Sequence, residues 1–448
     1  MIAPARQAAY RILFEIETTD AHSDELLRGR EVDALSEQDR NLTTALVLGT
    51  LRWQLALDTQ IRDLLARPNT KLSPEAATAL RMGAYQLWYL DRVPAHAAIH
   101  DSVELVKHGR ERGASGMVNA VLRKVGQTAE HKPQSSSSAA LAHPAWMVER
   151  WARRYGQAVA ERICSWDQEP ASTALRVADP GTEFADLETE PGAFLTCARR
   201  VVRGDAGRSA AIRAGQARIQ DEASQLVAEI AAAVKHLRLD GQSPRVLDTC
   251  AAPGGKTAIL LERLPRAQLT AVDVSPRRID SMRKLLGPAS DRLIFEAADA
   301  AKLQLRPEWD RILCDVPCSG TGTMARNPEI RVRLTEADLR RQQARQLEIL
   351  RAALPGLAAG GRLIYSTCSL EPEENEDVIA AALRKAPGFH VISVAKILDD
   401  LAANGVVTPD ARDRLRSAAP GNFLQTLPGV HPCDGFFAAV LERRQQTS

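Results

Sequence analysis

The sequence predicts an all-α helical bundle followed by a doubly wound α/β domain. Apolar residues recur at helical spacing over roughly the first 125 residues, and from about residue 236 short apolar runs alternate with helical stretches. The chain has 448 residues, of which 45% are hydrophobic and 25% are charged. These values are typical of a folded protein of about three domains and exclude global disorder.

We expect four segments along the chain. Residues 1–130 form the helical domain, and residues 131–143 form a serine-rich linker. Residues 144–235 form a small α/β connecting subdomain, and residues 236–448 form the larger α/β domain.

The helical domain has a periodic apolar face and local helix signals. Apolar residues follow helical spacing from Tyr10 to Ile16, and residues 42–65 form a long apolar-striped segment. Ser73-Pro74-Glu75 has the cap, the first-turn proline and the acid that begin a helix. Residues 1–140 carry 17 basic and 17 acidic side chains, so no net charge in this part indicates a ligand.

Basic and aromatic side chains are interleaved in the connecting subdomain. The stretch 143–156, HPAWMVERWARRYG, sets Trp146, Trp151 and Tyr155 among arginines. Further arginines stand against a single acid, Asp205: Arg199, Arg200, Arg203, Arg208, Arg213 and Arg218. This composition suits phosphate contacts and base stacking in RNA. The alternative is a solvated helix face with the tryptophans in a core.

The second half of the chain alternates between strand and helix. Expected strands lie at Arg245–Leu247, Leu269–Val272, Leu293–Phe295, Arg311–Leu313 and Arg362–Tyr365, with helices between them as at Thr257–Leu264 and Leu339–Leu354. This alternation predicts a mostly parallel, doubly wound sheet, whose ligands bind beyond the carboxyl ends of the strands.

A turn of small residues follows the first of these strands. In the segment 246–257, VLDTCAAPGGKT, Cys250 stands where a P-loop needs its first glycine, and the dinucleotide fingerprint is absent. Asp273 ends the next strand, 18 residues after Gly255, where an acid can hold both hydroxyls of a ribose. A nucleoside cofactor without a polyphosphate therefore fits better than ATP or NAD. The alternative is that Asp273 only caps a helix.

Two cysteines follow later strands of the same sheet. Cys318 lies in the segment DVPCSGTG after one strand, and Cys368 lies in the segment TCS after another. A lone cysteine is most often a small buried hydrophobe, but two at equivalent strand ends indicate a site. A metal site is disfavoured because Cys314 and Cys318 are not a CxxC pair and no histidine or second cysteine pair completes a tetrahedral set.

Three motifs resemble those of S-adenosylmethionine-dependent RNA cytosine-5 methyltransferases, in the order of that family. They are DTCAAPGGKT at 248–257, DVPCSGTG at 315–322 and STCSLEPEEN at 366–375. The segment SGMVNAVLR at 115–123 resembles the NusB-type RNA-binding domain. Over nearly the whole chain, this combination is similar to the small-subunit ribosomal RNA methyltransferases of the Fmu/Sun type. Val316, where alanine is usual, and the long segment 397–429 depart from the pattern.

The resemblance implies a Rossmann-like methyltransferase domain that methylates C5 of a cytosine in 16S ribosomal RNA through a covalent Cys–C6 intermediate. Cytosine C5 is a poor nucleophile, but a thiolate that adds to C6 turns the ring into an enamine. Chemistry alone leaves open which thiol attacks, because DNA cytosine-5 methyltransferases use the Pro-Cys position, here Cys318. The RNA family implies that Cys368 is the nucleophile, that Cys318 assists product release and that Asp315 contacts cytosine N3.

The resemblance also implies the residues that bind S-adenosylmethionine. Asp273 holds the ribose, Asp299 lies near the adenine amino group, and Arg278 supports the site. The full set is Cys250, Ala251, Ala252, Pro253, Gly254, Gly255, Lys256, Asp273, Arg278, Asp299 and Asp315.

Three other functions compete with this one. A tRNA cytosine-5 methyltransferase shares the catalytic motifs, but related tRNA enzymes mostly lack a NusB-like domain. A non-catalytic RNA-binding assembly factor is disfavoured because both cysteines, Asp315 and the glycine turn are retained. A P-loop NTPase is disfavoured by Cys250.

Composition predicts where the protein acts. No run of about 18 apolar residues and no signal-peptide core is present, and the seven cysteines are scattered singly. The net charge of +2 neither demands nor excludes nucleic acid. We expect a cytoplasmic monomer with reduced thiols and no membrane or metal partner. The resemblance implies that it acts on 16S ribosomal RNA, free or in an assembling small subunit.

Overall fold

The computed structural model describes residues 2–128, 142–233, 243–419 and 421–444. The chain folds into two compact units, each packed mainly against itself. The helical unit comprises Met1–Ala171 and Met324–Leu334, and the sheet unit comprises Ser172–Thr323 and Thr335–Ser448. Most of the expected linker at 131–143 lies outside the described residues, and the four-segment division stays a prediction.

The helical unit is built from amphipathic helices. The side chains of Ser36 and Ser73 accept hydrogen bonds from the backbone N–H groups of Asp39 and Ala76, so they cap the helices that follow. The apolar faces pack into two clusters, one around Leu80 and one around Leu46. In chain order the helices are α1 (Pro4–Thr18), α2 (Ser23–Leu27), α3 (Arg30–Asp33), α4 (Glu37–Leu64), α5 (Pro74–Tyr89), α6 (Ala95–His108), α7 (Ser115–Gln127), α8 (Ala145–Tyr155) and α9 (Gln157–Gln168).

A small antiparallel sheet begins the sheet unit. Its strands are β1 (Ala174–Val177), β2 (Glu188–Pro191), β3 (Ala198–Arg203) and β4 (Ala217–Ile219), in the order β2-β3-β1-β4, and a short helix, α10 (Ala210–Arg213), precedes β4. The inner strand β1 is almost wholly buried, whereas β2 and most of β3 face solvent.

The larger sheet has the predicted doubly wound topology. Its strands are β5 (Arg245–Asp248), β6 (Gln268–Asp273), β7 (Leu293–Ala297), β8 (Trp309–Asp315), β9 (Leu357–Thr367), β10 (Phe389–Ile392), β11 (Leu424–Gln425) and β12 (Phe437–Arg443). The order is β10-β12-β9-β8-β5-β6-β7, with β11 paired to β12. Strands β9, β8, β5, β6 and β7 run parallel, and β12 is antiparallel to both neighbours. The predicted fold class is confirmed.

Helices cover both faces of this sheet. The helices in this part of the chain are α11 (Glu222–Ala232), α12 (Gly255–Arg263), α13 (Pro276–Leu286), α14 (Ile330–Arg333), α15 (Glu336–Ala353), α16 (Glu376–Leu383), α17 (Val394–Ala403) and α18 (Arg412–Ser417). Of these, α14 packs in the helical unit. Neighbouring residues of β5, Val246 and Leu247, belong to different apolar clusters because successive side chains point to opposite faces. The helices α11 and α12 cover one face, and α15 and α16 cover the other.

The chain leaves the sheet unit after Thr323 and returns at Thr335. The intervening segment is buried in the helical unit through two charged side chains. Arg331 donates to the carbonyls of Arg52 (2.8 Å) and Asp167 (3.2 Å). Glu329 accepts from the backbone N–H and the hydroxyl of Ser23. Sequence patterning did not predict that this segment belongs to the first unit.

Candidate active site

The parallel strands bring four polar residues to one edge of the large sheet. Asp248, Asp273 and Asp315 are the last residues of β5, β6 and β8, and Thr367 is the last residue of β9. Asp315 lies opposite Ser366 in the β8–β9 register. Two predicted site residues, Asp273 and Asp315, therefore lie at the edge where a doubly wound sheet binds its ligands.

A turn of small residues connects β5 to α12. Gly254 has φ 104°, in the left-handed region that favours glycine, and it lies directly before α12. A Cβ at Gly255 would lie 3.2 Å from the end of the Gln220 side chain, so a larger residue here would displace that side chain. The turn and the start of α12 line a cleft with Gln220, Ser224 and Asp315. Such a backbone can approach a ligand closely.

Asp273 and Arg278 hold the far side of this turn. The Asp273 carboxylate is 4% exposed and accepts from the backbone N–H groups of Ala252 (3.3 Å) and Ser275 (3.0 Å). Arg278 donates to the Ala252 carbonyl (3.0 Å) and lies 3.5 Å from the Asp273 carboxylate. Two predicted cofactor residues are thus joined to the turn. A ribose role for Asp273 remains a prediction, because its carboxylate also accepts a hydrogen bond from the backbone N–H of Ser275, directly before the next helix.

Asp248 is a buried carboxyl beneath the turn. It accepts from the Thr257 hydroxyl (2.8 Å) through Oδ2, whereas Oδ1 has no hydrogen-bond partner among the described residues. Burial, reinforced by the nearby Asp315 charge, raises the pKa of Asp248 to about 7. The Oε1 atom of Gln220, at the same cleft, also lacks a described partner. Two buried oxygens at this cleft therefore retain hydrogen-bonding capacity for a polar ligand.

Asp315 is held between two partners. The Lys256 ammonium lies 2.6 Å from Oδ2, and the Ser366 hydroxyl donates to Oδ1 at 2.7 Å. Lys256 also lies over the Phe436 ring, 5.0 Å from its centroid. Sequence analysis missed Ser366, although it is the residue before the Thr-Cys-Ser motif and directly opposite Asp315 in the register.

The two predicted cysteines are in contact. Their Sγ atoms lie 3.3 Å apart, and the backbone N–H of Gly322 donates to the carbonyl of Cys368 at 2.9 Å. The hydrogen bond between the thiols, together with burial, raises the pKa of Cys318 well above its usual value. Cys318 is therefore held in its neutral form beside Cys368.

Two other predicted site residues have local roles in the structure. Asp299 caps the turn after β7, where it accepts from the backbone N–H of Ala301 at 3.1 Å. Burial raises the pKa of Cys250, so this residue contributes to the turn as a neutral thiol. The proposed contacts of both residues with a cofactor remain predictions.

Of the two interpretations of the basic and aromatic stretch, the structure supports packing in a core for Trp151. Trp151 is 1% exposed and packs edge-on against His143, with ring centroids 5.9 Å apart. It lies on the apolar face of α8, as the alternative interpretation of this stretch holds. Trp146 and Tyr155 are half-buried, and Arg153 and Arg154 are exposed.

We expect Asp248 to make the protein less stable as the pH rises. Its pKa is about 7 in the folded state but about 3.8 when unfolded, so its contribution is full below pH 4 and lost as the pH rises through 7. Between pH 5 and pH 7 this loss is about 2 kcal/mol.

Urea-unfolding midpoints at the two pH values test this expectation. Asp248→Asn keeps the acceptor for Thr257 and should flatten the dependence, whereas Asp291→Asn, at an exposed carboxylate, should leave it as in the wild type. Equal slopes in the wild type and Asp248→Asn would contradict the raised pKa.

Within the described residues there is no cluster of three His, Cys, Asp or Glu side chains arranged to hold a metal ion. Among the helices of the same residues, none is long and apolar enough to cross a membrane.

Comparisons with known proteins identify both parts of the chain. Residues 236–442 match the family model of the 16S rRNA methyltransferase RsmB/F, and residues 3–127 match the NusB family model. A probable ribosomal RNA small subunit methyltransferase B of Bacillus subtilis is 33% identical, with 98% of each chain covered. The ribosomal RNA small subunit methyltransferase B of Pseudomonas putida is 32% identical, with 97% of this chain and 98% of that protein covered.

Solved structures share the fold. The crystal structure of PH0851 covers 99% of both chains with a TM-score of 0.78 and 22% identity. A methyltransferase homologue from Pyrococcus horikoshii covers 70% of this chain and all of its own length, with a TM-score of 0.52 and 24% identity. The resemblance drawn from the motifs is confirmed. The chain belongs to the RsmB/F family, and it is an S-adenosylmethionine-dependent RNA methyltransferase with an N-terminal NusB domain.

Proposed function

We propose that the protein methylates C5 of a cytosine in 16S ribosomal RNA through a covalent bond between Cys368 and C6 of the base. The observation that carries the proposal is the thiol pair, with Sγ atoms 3.3 Å apart. Asp315 ends the strand next to the one that precedes Cys368, and it lines the cleft of the glycine turn. A thiol pair and a carboxylate beside a nucleoside cleft suit addition to a pyrimidine ring.

The residues at the turn fit the cofactor. The turn Cys250–Lys256, Asp273 and Arg278 would hold S-adenosylmethionine, with Asp299 at its adenine end. Once bound, the cofactor supplies a methyl group on a sulfonium. Asp248 Oδ1 and Gln220 Oε1, which have no hydrogen-bond partner among the described residues, can form hydrogen bonds with polar groups of such a ligand.

The resemblance to the RNA cytosine-5 family favours Cys368 as the nucleophile. The hydrogen bond between the thiols and burial raise the pKa of Cys318, which suits this residue to remain a thiol next to the attacking sulfur. The Cys368 thiolate adds to C6, C5 takes the methyl group, a base removes the C5 proton, and the thiolate leaves. Cys318 adjoins the sulfur that must leave and is therefore suited to assist product release.

Asp315 is suited to stabilise the charge that develops on N3 of the cytosine. When a thiolate adds to C6, negative charge develops at N3, and the Asp315 carboxyl in its protonated form can donate a hydrogen bond to that atom. The Lys256 ammonium, 2.6 Å from Asp315, adds positive charge next to that bond, and Ser366 fixes the orientation of the carboxyl group.

The relatives favour ribosomal RNA over tRNA. Relatives over nearly the full length are named for the small ribosomal subunit, and the NusB domain lies at the same end as in the motif-based prediction. The contact between both thiols disfavours a non-catalytic assembly factor, since a retired site has no need to keep them adjacent.

The arginines of β3 offer a surface for the RNA backbone. Arg200 and Arg203 are exposed, and the pair of Arg200 with Glu190 is more than half exposed on both sides and therefore weak. Arg199 is more constrained, because it donates to the carbonyls of Thr196 and Ala198.

Asp273→Ala should weaken binding of S-adenosylmethionine by about tenfold, or about 1.4 kcal/mol, because the ribose hydroxyls lose their acceptor. Calorimetry on the full chain measures the change. Asp280→Ala, at an exposed carboxylate on α13, is the matched control and should bind like the wild type. Unchanged affinity in Asp273→Ala would remove this residue from the site.

Replacing Arg199, Arg200 and Arg203 together with glutamine should lower the log–log salt slope of RNA binding by about 2, since each charge releases about 0.7 counterion from a single strand. The control replaces three exposed arginines of α18, Arg412, Arg414 and Arg416, and should keep the wild-type slope. If the salt dependence of RNA binding has the same slope in both triple variants, the β3 arginines do not contact RNA and belong to an ordinary solvated surface.

The roles of the two thiols can be separated by their adducts. Cys368→Ala should abolish methylation and any covalent RNA adduct, whereas Cys318→Ala should attack, transfer the methyl group and stall. The expected product is a protein–RNA conjugate that survives denaturing electrophoresis and disappears in the double variant.

Bisulfite sequencing of 16S ribosomal RNA reports the methylated position in the same experiment. Cys164→Ala, at a buried thiol of the helical unit, should behave like the wild type. An adduct that accumulates in Cys368→Ala would transfer the nucleophile role to Cys318.

A further inference from the structure

Glu374 is a buried carboxylate at the centre of a hydrogen-bond cluster. It is 0% exposed and accepts four hydrogen bonds from three side chains and one backbone group. The backbone N–H of Ser319 (2.8 Å) and the amide of Gln346 (2.9 Å) donate to Oε1. The hydroxyls of Ser319 and Ser369 donate to Oε2. A carboxylate is the side chain suited to this place, because both of its oxygens accept and neither donates.

The donors belong to the two loops that carry the thiols. Ser319 follows Cys318, and Ser369 follows Cys368. The two serine hydroxyls also lie 3.1 Å from each other. One carboxylate therefore ties together the residues next to both sulfurs.

The carboxylate is itself fixed to the sheet unit. The Tyr365 hydroxyl of β9 donates to the Glu374 carbonyl at 2.5 Å, and Asn375 donates to the Ser369 carbonyl at 2.9 Å. Gln346 of α15 donates a second hydrogen bond, to the Pro317 carbonyl at 3.0 Å. The strand, the helix and both loops thus converge on Glu374, and buried polar networks of this kind are rigid when they are satisfied.

We propose that Glu374 is a positioning residue that sets the distance between the Cys318 and Cys368 thiols by clamping their two loops. Its catalytic consequence rests on the proposed function, since only a reaction that uses both thiols requires their spacing. Without this acceptor, the Ser319 N–H and one N–H of the Gln346 amide would be buried and unpaired, and the loops would move to satisfy them.

Conservative variants separate the clamp from the negative charge. Glu374→Gln keeps one oxygen for Ser319 N–H and Gln346, and its amide can donate to the serine hydroxyls, so the clamp persists without the charge. Glu374→Asp keeps the charge but is one carbon too short to reach both loops. If Glu374 acts by positioning the loops, Glu374→Gln should retain more methyltransferase activity than Glu374→Asp. If Glu374 acts only through its charge, Glu374→Asp should be the more active variant.

Thiol spacing can be measured without the methylation reaction. Diamide takes two electrons and two protons from adjacent thiols to become a hydrazine and leaves one disulfide, which peptide mapping by mass spectrometry locates. We expect Cys318–Cys368 crosslinking to be at least tenfold slower in Glu374→Asp and Glu374→Ala, and within threefold of the wild type in Glu374→Gln. Glu222→Ala is the matched control, because Glu222 is a buried carboxylate of the same unit that accepts three backbone hydrogen bonds.

Methyl-transfer kinetics give the second readout. Glu374→Asp should lower kcat at least tenfold with KM for S-adenosylmethionine within twofold, and Glu374→Gln should restore most of kcat. Crosslinking at the wild-type rate in both Asp and Ala variants, or an Asp variant more active than Gln, would overturn the proposal. If the wild type forms the disulfide but methylates no cytosine, the proposed function fails while the crosslinking series still tests the clamp.

Discussion

The parallel register of β8 and β9 is the constraint on which the site depends. Asp315 lies opposite Ser366 at the carboxyl ends of these strands, so the chain that follows each strand begins at the same edge. Cys318 follows Asp315 by three residues, and Cys368 follows Ser366 by two. The sulfurs of the two cysteines lie 3.3 Å apart. A slip of one residue would turn the side chains of β9 to the opposite face and separate Ser366 from Asp315. The apolar clusters on both faces of the sheet prevent such a slip.

Three carboxyl groups at this edge have different environments. Asp315 accepts from a cation and a hydroxyl but also lines the cleft of the glycine turn, which suits a group that meets a substrate. Glu374 has both oxygens occupied by donors of the protein itself, which suits a structural clamp. Asp248 has one oxygen without a described partner and a raised pKa, which suits a place beside a ligand. Local partners, rather than residue type, therefore distinguish the three roles.

Much of the fold and part of the site could be predicted from the sequence. Apolar runs and a Ser-Pro-Glu helix start are local signals, so strands such as β5 and the start of α5 lie where they were expected. The place of Trp151 stayed open because one turn of helix does not tell a buried ring from an exposed one. The placement of Arg331 depends on carbonyls of Arg52 and Asp167, which are distant in sequence and leave no local pattern. The Glu374 clamp was missed for the same reason, although the residue stands in a motif that the sequence analysis quoted.

The contact between the thiols also limits the charge that the pair can carry. Two thiolates 3.3 Å apart in a half-buried place would repel strongly, so the pair holds at most one negative charge in the resting protein. The sulfur that attacks a base gives up this charge to the ring, and only then is loss of the second proton less costly. Adjacent thiols therefore impose an order on the proposed reaction, in which attack by one sulfur precedes any proton transfer by the other. The repulsion between charges on the two sulfurs depends on their separation. It has a defined strength only if the loops that carry Cys318 and Cys368 are held at a fixed distance.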